Sequence, residues 1–253
     1  TDVTTLIQNL GGGADLYAAN ESSPSAQPSA TGTNSIAIGD SAISSNTDSF
    51  AFGKSRASGV NSFAASIGNN STSFGATGSN SVSIGLNSKS TGGNYSICIG
   101  GWYPSATSTY AIAIGNWTTA SYNPSTAIGT ACQATSNKTV ALGSNCTSSA
   151  MRTTTIGAEN LANASGSTVI GQNGKAETKG KFVFSNGYYT ASGDSQAGKY
   201  ILRADTTDAT PTVFTVDNNS SVGATNQIVL PNNSAYTFTG TVIAREKASE
   251  GSD

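Results

Sequence analysis

Six aromatic residues crowd one short stretch near the middle of the sequence. They include both tryptophans of the chain and are Tyr95, Trp102, Tyr103, Tyr110, Trp117 and Tyr122. Aromatic faces stack on sugar rings, while the nearby Ser, Thr and Asn side chains can bind sugar hydroxyls. We therefore expect these six to be receptor-binding residues on a carbohydrate-contacting surface. The alternative is structural, with the rings packed on each other or on a neighbouring chain.

Residues that could catalyse a reaction are scarce. The chain has no histidine, which excludes Ser-His-Asp and Cys-His catalysis and removes the commonest metal ligand. Between residues 34 and 174 the acidic residues are Asp40, Asp48 and Glu159. Asp40 and Asp48 fall in one repeat and could approach each other, as the two carboxyls of a glycosidase must, but ordinary turn positions are the better interpretation. We predict no catalytic residues, no metal site and no cofactor, and hence a protein that is not an enzyme.

The composition excludes further classes of function. Charged residues make up 10% of the chain, and 12 Lys and Arg against 14 Asp and Glu give a net charge of −2. This balance offers no basic surface for phosphates, so we expect no nucleic-acid partner. No run of about 18 apolar residues occurs, so we also expect no membrane insertion.

A glycine preceded by a large apolar residue recurs about every fourteen residues. It is found at Gly39, Gly53, Gly68, Gly85, Gly100, Gly115, Gly129, Gly143, Gly157 and Gly171. The position two residues before the large apolar one is mostly β-branched, and both positions share one face of a strand because side chains alternate. Each unit is therefore predicted to be one coil of a parallel β-solenoid, with the large apolar columns pointing inward.

Small residues form two further columns. The position between the two apolar ones holds Ala, Ser, Cys, Thr or Val. The position five residues after the glycine reads Ser44, Ser58, Ser73, Ser90, Ser105, Ala120, Ala134, Ser148, Ala162 and Ala176. A strand face in water should carry longer polar side chains, so the small column between the apolar ones indicates a closely approaching second surface. We expect several identical rods side by side, most simply a homotrimer; the alternative is a monomeric solenoid with a small-residue face.

The cysteines and aromatic residues also follow the repeat. Cys132 and Cys146 each lie three residues after a glycine, so they should stack in adjacent coils at a spacing that permits a disulfide. Parallel side chains point the same way, however, and Cys98 has no obvious partner. We favour three free, semi-buried cysteines.

The same counting predicts two aromatic ladders. Tyr95 and Tyr110 each lie five residues before a glycine, and Trp102 and Trp117 each lie two residues after one. Each pair is expected to stack between neighbouring coils.

The units NSIAIGDSAISS, NSVSIGLNSKS and STAIGTACQA resemble the head repeats of YadA-like trimeric adhesins. The resemblance implies a left-handed parallel β-roll in a tight homotrimer. We therefore expect an all-β chain: a homotrimeric parallel β-solenoid (β-roll) of about ten 14-residue coils, followed by a small antiparallel β module.

Three segments follow from this organisation. Residues 1–33 are predicted to be a connector, residues 34–180 the β-roll, and residues 181–253 the antiparallel module, with five short alternating strands. The C-terminal stretches GDSQAGKYILRADTTDATPTVFT and NQIVLPNNSAYTFTGTVIARE look like a module of bacteriophage tail fibres. We expect the sequence to be an excerpt of a longer chain, with the return strand of that module missing.

Together these features favour a trimeric phage tail-fibre segment that mediates host attachment through many weak contacts. The expected partners are two further copies of the chain, a host cell-surface glycan or protein receptor, and other virion proteins reached through an absent N-terminal region. The expected location is the virion tail, outside the cell. The alternatives are the head of a bacterial trimeric autotransporter adhesin, a purely structural fibre shaft, or a glycan-cleaving tailspike.

Overall fold

The computed structural model describes residues 13–16, 27–219, 223, 226–230 and 235–244. These residues form 24 strands, numbered in chain order, and no helix. Sheet A comprises β1 (Gly13–Leu16), β3 (Ser35–Ile38), β5 (Phe50–Phe52), β7 (Phe63–Ala65), β9 (Val82–Ile84), β11 (Ile97–Ile99), β13 (Ile112–Asn116), β15 (Ser125–Thr130), β17 (Thr139–Ser144), β19 (Thr154–Ala158), β21 (Thr168–Gln172), β23 (Phe182–Asn186) and β24 (Gln196–Lys199). Sheet B comprises β2 (Ser29–Ala30), β4 (Ile43–Ser44), β6 (Arg56–Ala57), β8 (Gly75–Ala76), β10 (Lys89–Ser90), β12 (Ser105–Ala106), β14 (Thr119–Ala120), β16 (Gln133–Ala134), β18 (Thr147–Ser148), β20 (Leu161–Ala162) and β22 (Lys175–Ala176).

The chain alternates between the two sheets, so that one strand of each makes one coil. Within each sheet, a strand pairs in parallel with its counterpart in the next coil, and Ala113 lies beside Ala127 as Ile114 lies beside Ile128. At about 4.8 Å per strand, the 11 strands of sheet B span roughly 50 Å. The predicted fold class, an all-β parallel β-solenoid, is confirmed, with about eleven coils where about ten were expected.

The strand residues that point into the roll are small. From sheet A they are Ala37, Ala51, Ala64, Ser83, Cys98, Ala113, Ala127, Ala141, Thr155, Val169 and Val183. From sheet B they are Ala30, Ser44, Ala57, Ala76, Ser90, Ala106, Ala120, Ala134, Ser148, Ala162 and Ala176. All are buried. The prediction that the large apolar columns point inward is therefore wrong, because a coil of about fourteen residues encloses a space too thin for them.

Gly174 shows how thin that space is. A Cβ atom added there would lie 2.5 Å from Val169 Cγ1 and 3.2 Å from Val183 Cγ1. Close packing leaves no room to absorb such an overlap. Valine fits inside the last coils because glycine stands opposite it.

Hydroxyl groups are accommodated in this interior by local hydrogen bonds. The buried Ser62, Ser81 and Ser96 each donate from Oγ to the carbonyl oxygen three residues earlier, at 2.7, 2.6 and 2.9 Å. Buried polar groups are tolerated when they are satisfied in this way. Within the described part of the chain, Thr118 Oγ1 is the buried side-chain polar atom without a hydrogen-bond partner.

The two sheets present different outer faces. The large apolar residues of the sheet A strands point outward. They run from Ile36 and Ile38 in β3 to Phe182 and Phe184 in β23, and these four side chains are at least partly exposed. Outward on sheet B stand mainly polar residues, including Arg56, Lys89, Ser105, Thr119, Gln133, Thr147 and Lys175. Each chain therefore has one apolar face and one polar face.

Counting from the glycines misplaces the alignment in a few coils. In β7, Ala65 rather than Ile67 lies beside Phe52, so Ser66 takes the glycine position and Ile67 is buried inside the roll. The inward column of sheet B contains Ala57, Ala76 and Ala106, whereas the small-residue column counted from the glycines holds Ser58, Ser73 and Ser105 in these coils. The reason is that the turns differ in length by a few residues, while the strand pairing stays fixed.

The parallel stacking continues beyond residue 180. β23 pairs in parallel with β21, so KFVFSN is part of the roll, although the sequence places it in the C-terminal module. β24 then pairs antiparallel with β23, and an isolated antiparallel bridge joins Arg203 to Thr215. No strand is present in 226–230 or 235–244.

The N-terminal connector is described in part. β1 and β2 fall within the predicted connector, and they pair in parallel with β3 and β4. Residues 1–12, 17–26 and 245–253 lie outside the described residues, as does the tip of the C-terminal module.

Candidate functional site

Every coil turns twice, and most of these turns have a residue with left-handed backbone geometry. We call the turn before each sheet A strand the first corner and the turn after it the second corner. Left-handed residues at the first corner are Asn34, Asp48, Asn61, Asn80, Tyr95, Tyr110, Lys138, Arg152, Gly166 and Gly180. At the second corner they are Ser41, Gly53, Ser66, Asn87, Tyr103, Trp117, Ala131, Asn145, Glu159 and Asn173. Asn, Asp and Gly adopt this geometry readily, whereas bulky aromatic residues rarely do.

Four of the six predicted receptor-binding residues occupy these corner positions. The φ angles of Tyr95, Tyr103, Tyr110 and Trp117 are 57°, 50°, 58° and 58°. A non-glycine residue held in this region costs about 1–3 kcal/mol, and such residues cluster at functional sites. The cluster of aromatic residues is visible in the sequence, but their backbone strain is not, because it depends on the turn geometry.

The first-corner stack consists of Tyr95 and Tyr110. Their ring centroids lie 5.3 Å apart with an interplanar angle of 12°, so the ladder predicted for this pair is confirmed. Tyr122 lies near the same corner one coil later, outside the stack, and its carbonyl oxygen accepts a hydrogen bond from Ser125 Oγ at 2.6 Å.

The second-corner stack consists of Tyr103 and Trp117, with centroids 5.1 Å apart and an interplanar angle of 28°. The predicted ladder of Trp102 on Trp117 is wrong. The turn after Gly100 is one residue longer than the turn after Gly115, so Tyr103 takes the corner position. Trp102 lies beside Tyr103 at a centroid distance of 6.5 Å.

All six aromatic residues are accessible in the single chain. Their exposed fractions lie between 41% for Tyr103 and 58% for Trp117. The structure thus brings them together as two separate groups, at opposite ends of the β11 and β13 strands, rather than as one surface.

Between the two groups lies the apolar face of sheet A. Ile97, Ile99, Ile112 and Ile114 point outward there and are partly exposed. The same face continues along the roll, with Ile128 at 37% and Ile156 at 39% exposure. A single chain therefore leaves a continuous ladder of large apolar side chains in contact with water, which globular proteins usually cover.

The groups that could support catalysis are placed unfavourably for it. Cys98, Cys132 and Cys146 are buried and free, as predicted. Burial raises the pKa of the Cys98 thiol to about 12, and it also raises the pKa of the Cys146 thiol, so neither is a nucleophile at neutral pH.

The carboxylates are not assembled into a site either. Asp40 follows the strand β3 at a second corner, whereas Asp48 occupies a first corner, so the two lie at opposite edges of sheet A. Across the described residues, no group of three His, Cys, Asp or Glu could hold a metal ion. Nor is any helix there long and apolar enough to span a membrane.

The repeats match a known family. The family described as the YadA head domain repeat (2 copies) matches residues 30–55, 76–101, 106–131 and 123–145. These matched stretches of the roll are similar to YadA head repeats, and together they cover 92 of the 253 residues. Trp102 and Tyr103 fall between two matched stretches, in the lengthened turn. Comparison with curated proteins finds no match to the chain. The YadA-like repeats and the β-solenoid point to a structural or adhesive role outside the cell.

Proposed function

We propose that this chain is a rod-shaped segment of a homotrimeric attachment protein, which holds a receptor through many repeated contacts. The observation that carries the proposal is the outer face of sheet A, where one or two large apolar side chains per coil stand partly exposed in each of the eleven parallel strands from β3 to β23. Burying apolar surface stabilises an assembly by about 25 cal/mol per Å². The face is continuous, so its contribution grows with every coil.

The direction of the side chains supports side-by-side assembly of parallel rods. Three copies related by rotation about an axis parallel to the rod bring three apolar faces together as one core. The polar face of sheet B then remains in water. YadA-like head repeats support the same arrangement, since a homotrimer is the state this repeat family implies.

Attachment is proposed to use the aromatic residues Tyr95, Trp102, Tyr103, Tyr110, Trp117 and Tyr122. They are exposed, strained at four positions, and set among uncharged polar residues, which suits the stacking of sugar rings. Each contact can be weak, because three copies on one rigid rod raise the effective concentration of every further contact.

We assign the rod to a bacteriophage tail fibre, with the virion proteins at its N-terminal side. The resemblance of the stretches around KYILRADTTDATPTVFT and AYTFTGTVIARE to tail-fibre modules supports this. The head of a bacterial trimeric autotransporter adhesin is the second candidate, and the repeat match favours it. The full-length gene separates them: an upstream signal peptide indicates the adhesin, and neighbouring virion genes indicate the fibre.

Binding to an array of bacterial surface polysaccharides tests the attachment role. The double variant Tyr110→Ala/Trp117→Ala should lose at least tenfold in apparent affinity, because each stacking contact contributes about 0.5–1.5 kcal/mol and is repeated in three chains. Tyr189→Ala is the matched control, since Tyr189 is 92% exposed and lies away from both stacks. Unchanged binding by the double variant in a folded trimer would show that the aromatic residues are not the receptor contacts.

A further inference from the structure

We infer that the first corner of one copy meets the second corner of the next copy in the trimer, so that each aromatic surface is assembled from two chains. This inference rests on the proposed trimer and adds the residues that form its subunit boundaries. Each chain has two separate aromatic stacks, so a trimer has six. The proposed pairing combines them into three aromatic surfaces, one at each subunit boundary.

Within one chain the two stacks cannot contact each other. Tyr110 and Trp117 belong to the same coil but lie on either side of β13, seven residues apart along an extended strand. At about 3.3 Å per residue, this separation is roughly 20 Å. A contact between a first corner and a second corner therefore requires a second copy.

Rotational symmetry makes that contact. The sheet A strands run across the rod, so each forms one side of a triangle around an axis parallel to the rod. Rotation by one third of a turn places the end of one strand beside the beginning of the same strand in the next copy. The interface is heterologous, pairing the second corner of one copy with the first corner of another at the same height.

The aromatic residues obey this pairing. In the coil of β11 the two corners carry Tyr95 and Tyr103, and in the coil of β13 they carry Tyr110 and Trp117. Aromatic residues therefore occupy both corners of the same two coils. The other left-handed residues at the first and second corners of the described coils are not aromatic.

One coil of the described roll also places opposite charges at its two corners. In the coil of β19, the first corner carries Arg152 and the second carries Glu159, both exposed. The ion pairs formed within the described part of the chain involve other residues, Lys175 with Glu177 and Lys179 with Asp217. In the trimer, Arg152 would face Glu159 of the partner subunit, a complementary contact of the kind that fixes register between chains.

The consequence is a groove along each subunit boundary. At the height of β11 and β13, one wall carries Tyr95 and Tyr110, and the other wall carries Tyr103 and Trp117 of the partner subunit. A sugar ring entering this groove can meet aromatic faces from both sides, whereas one chain offers it a face on one side. The receptor class favoured is therefore an extended glycan that lies along the boundary.

Engineered disulfides test the pairing. The double variants Arg152→Cys/Glu159→Cys and Tyr110→Cys/Trp117→Cys each put two thiols about 20 Å apart within one chain, too far to bridge, since bridged Cα atoms lie within about 7 Å. After mild oxidation and blocking of free thiols, both should migrate as covalent trimers on a non-reducing denaturing gel. The native cysteines are buried and free in the folded chain, so the single-site variants Tyr110→Cys and Arg152→Cys serve as controls for crosslinks that involve them.

The matched control offsets the two corners in height. Tyr110→Cys/Asn145→Cys combines a first corner with a second corner two coils away, a shift of roughly 10 Å along the rod. It should stay monomeric on the same gel. Covalent trimers from the offset pair, or monomers from both matched pairs while the solution mass is that of a trimer, would overturn the proposed pairing. A monomeric mass for the unmodified protein would instead overturn the proposed trimer itself.

Charge exchange provides a second measurement that needs no crosslink. Arg152→Glu places two carboxylates at each boundary and should raise the dissociation constant of the trimer roughly tenfold. The double variant Arg152→Glu/Glu159→Arg should recover most of that loss. Recovery by the double variant supports the pairing, and equal losses from both variants contradict it.

Discussion

Gln196 closes the last coil by pairing its side chain with the backbone of Lys175. Its Oε1 accepts a hydrogen bond from the Lys175 N–H at 2.8 Å, and its Nε2 donates to the Lys175 carbonyl at 2.9 Å. Lys175 belongs to β22, the last strand of sheet B among the described residues, and no further described strand pairs with its outer edge. One amide side chain thus takes the place of the missing neighbour and covers an edge that could otherwise recruit another chain.

Gln196→Ala should weaken this end of the roll. Losing two hydrogen bonds to a partly buried backbone is expected to lower the free energy of unfolding by about 1–3 kcal/mol per chain. The uncovered edge should also promote end-to-end association, visible as increased light scattering. The control is Gln133→Ala, which removes an exposed glutamine from the outer surface of sheet B. Equal behaviour of the two variants in urea unfolding would contradict the capping role.

Ala127 and Ile128 are neighbours whose substitution should give opposite results. Ala127→Leu places a large side chain inside the roll, and overpacking should cost about 1–3 kcal/mol or prevent folding. Ile128→Asp should leave the roll folded but weaken association, because Ile128 points outward and is 37% exposed. Circular dichroism and solution mass distinguish the two effects. If the Ala127→Leu variant were folded but dissociated and the Ile128→Asp variant were unfolded, the assignment of the inner and outer faces would be reversed.

Gly115 should not tolerate a side chain. A Cβ atom there would lie 1.8 Å from the carbonyl oxygen of Gly129 in the next coil, at a φ of +123°. Gly115→Ala is expected to lower the free energy of unfolding by more than about 2 kcal/mol, since both strain and overlap must be relieved. Gly240→Ala, where nothing lies within 4 Å of the added atom, should have no measurable effect. Similar melting temperatures for the two variants would show that the coils can separate more easily than the structure indicates.

The Cys98 thiol should make the stability depend on alkaline pH. Its pKa is about 12 in the folded protein, raised mainly by burial, against an ordinary value of 9.0. The stabilisation is therefore complete below about pH 9 and declines as the pH rises toward 12, because the unfolded chain loses the proton first. Urea unfolding at pH 8 and pH 10.5 measures the difference.

Cys98→Ser is the control for that experiment, because Ser83 occupies the same inward column one coil earlier. The decline between pH 8 and pH 10.5 should be smaller in this variant. An identical decline in both proteins would assign the alkaline sensitivity to other groups.

Much of this fold is visible in the sequence, but the side of the strand that faces inward is not. Alternation along Ile112, Ala113 and Ile114 shows that one face is large and the other small. The rule that large apolar residues fill the core would place the isoleucines inside. The size of the coil has the opposite effect and places the isoleucines outside. The space between two sheets joined by such short turns holds Ala113 but not Ile112. The small column that indicated a neighbouring rod is in fact the interior, and the large column is the surface that a neighbour would cover.

The candidate site shows a similar limit. The stack of Tyr95 on Tyr110 follows from equal spacing to their glycines, and the structure confirms it. The Trp102 ladder fails because the turn before Pro104 holds one extra residue, which places Tyr103 at the corner. Counting residues from a fixed glycine predicts stacking only where the turns between them have equal length.

The central claim, a trimer held by the outer face of sheet A, is tested most directly by the molecular mass in solution. Light scattering coupled to size-exclusion chromatography should give about 76 kDa for the unmodified protein, three times the 25.3 kDa chain. The variant Ile114→Asp/Ile128→Asp should shift that mass toward a single chain while keeping the β-sheet circular dichroism spectrum. A mass near 25 kDa for the unmodified protein at micromolar concentration would contradict the claim.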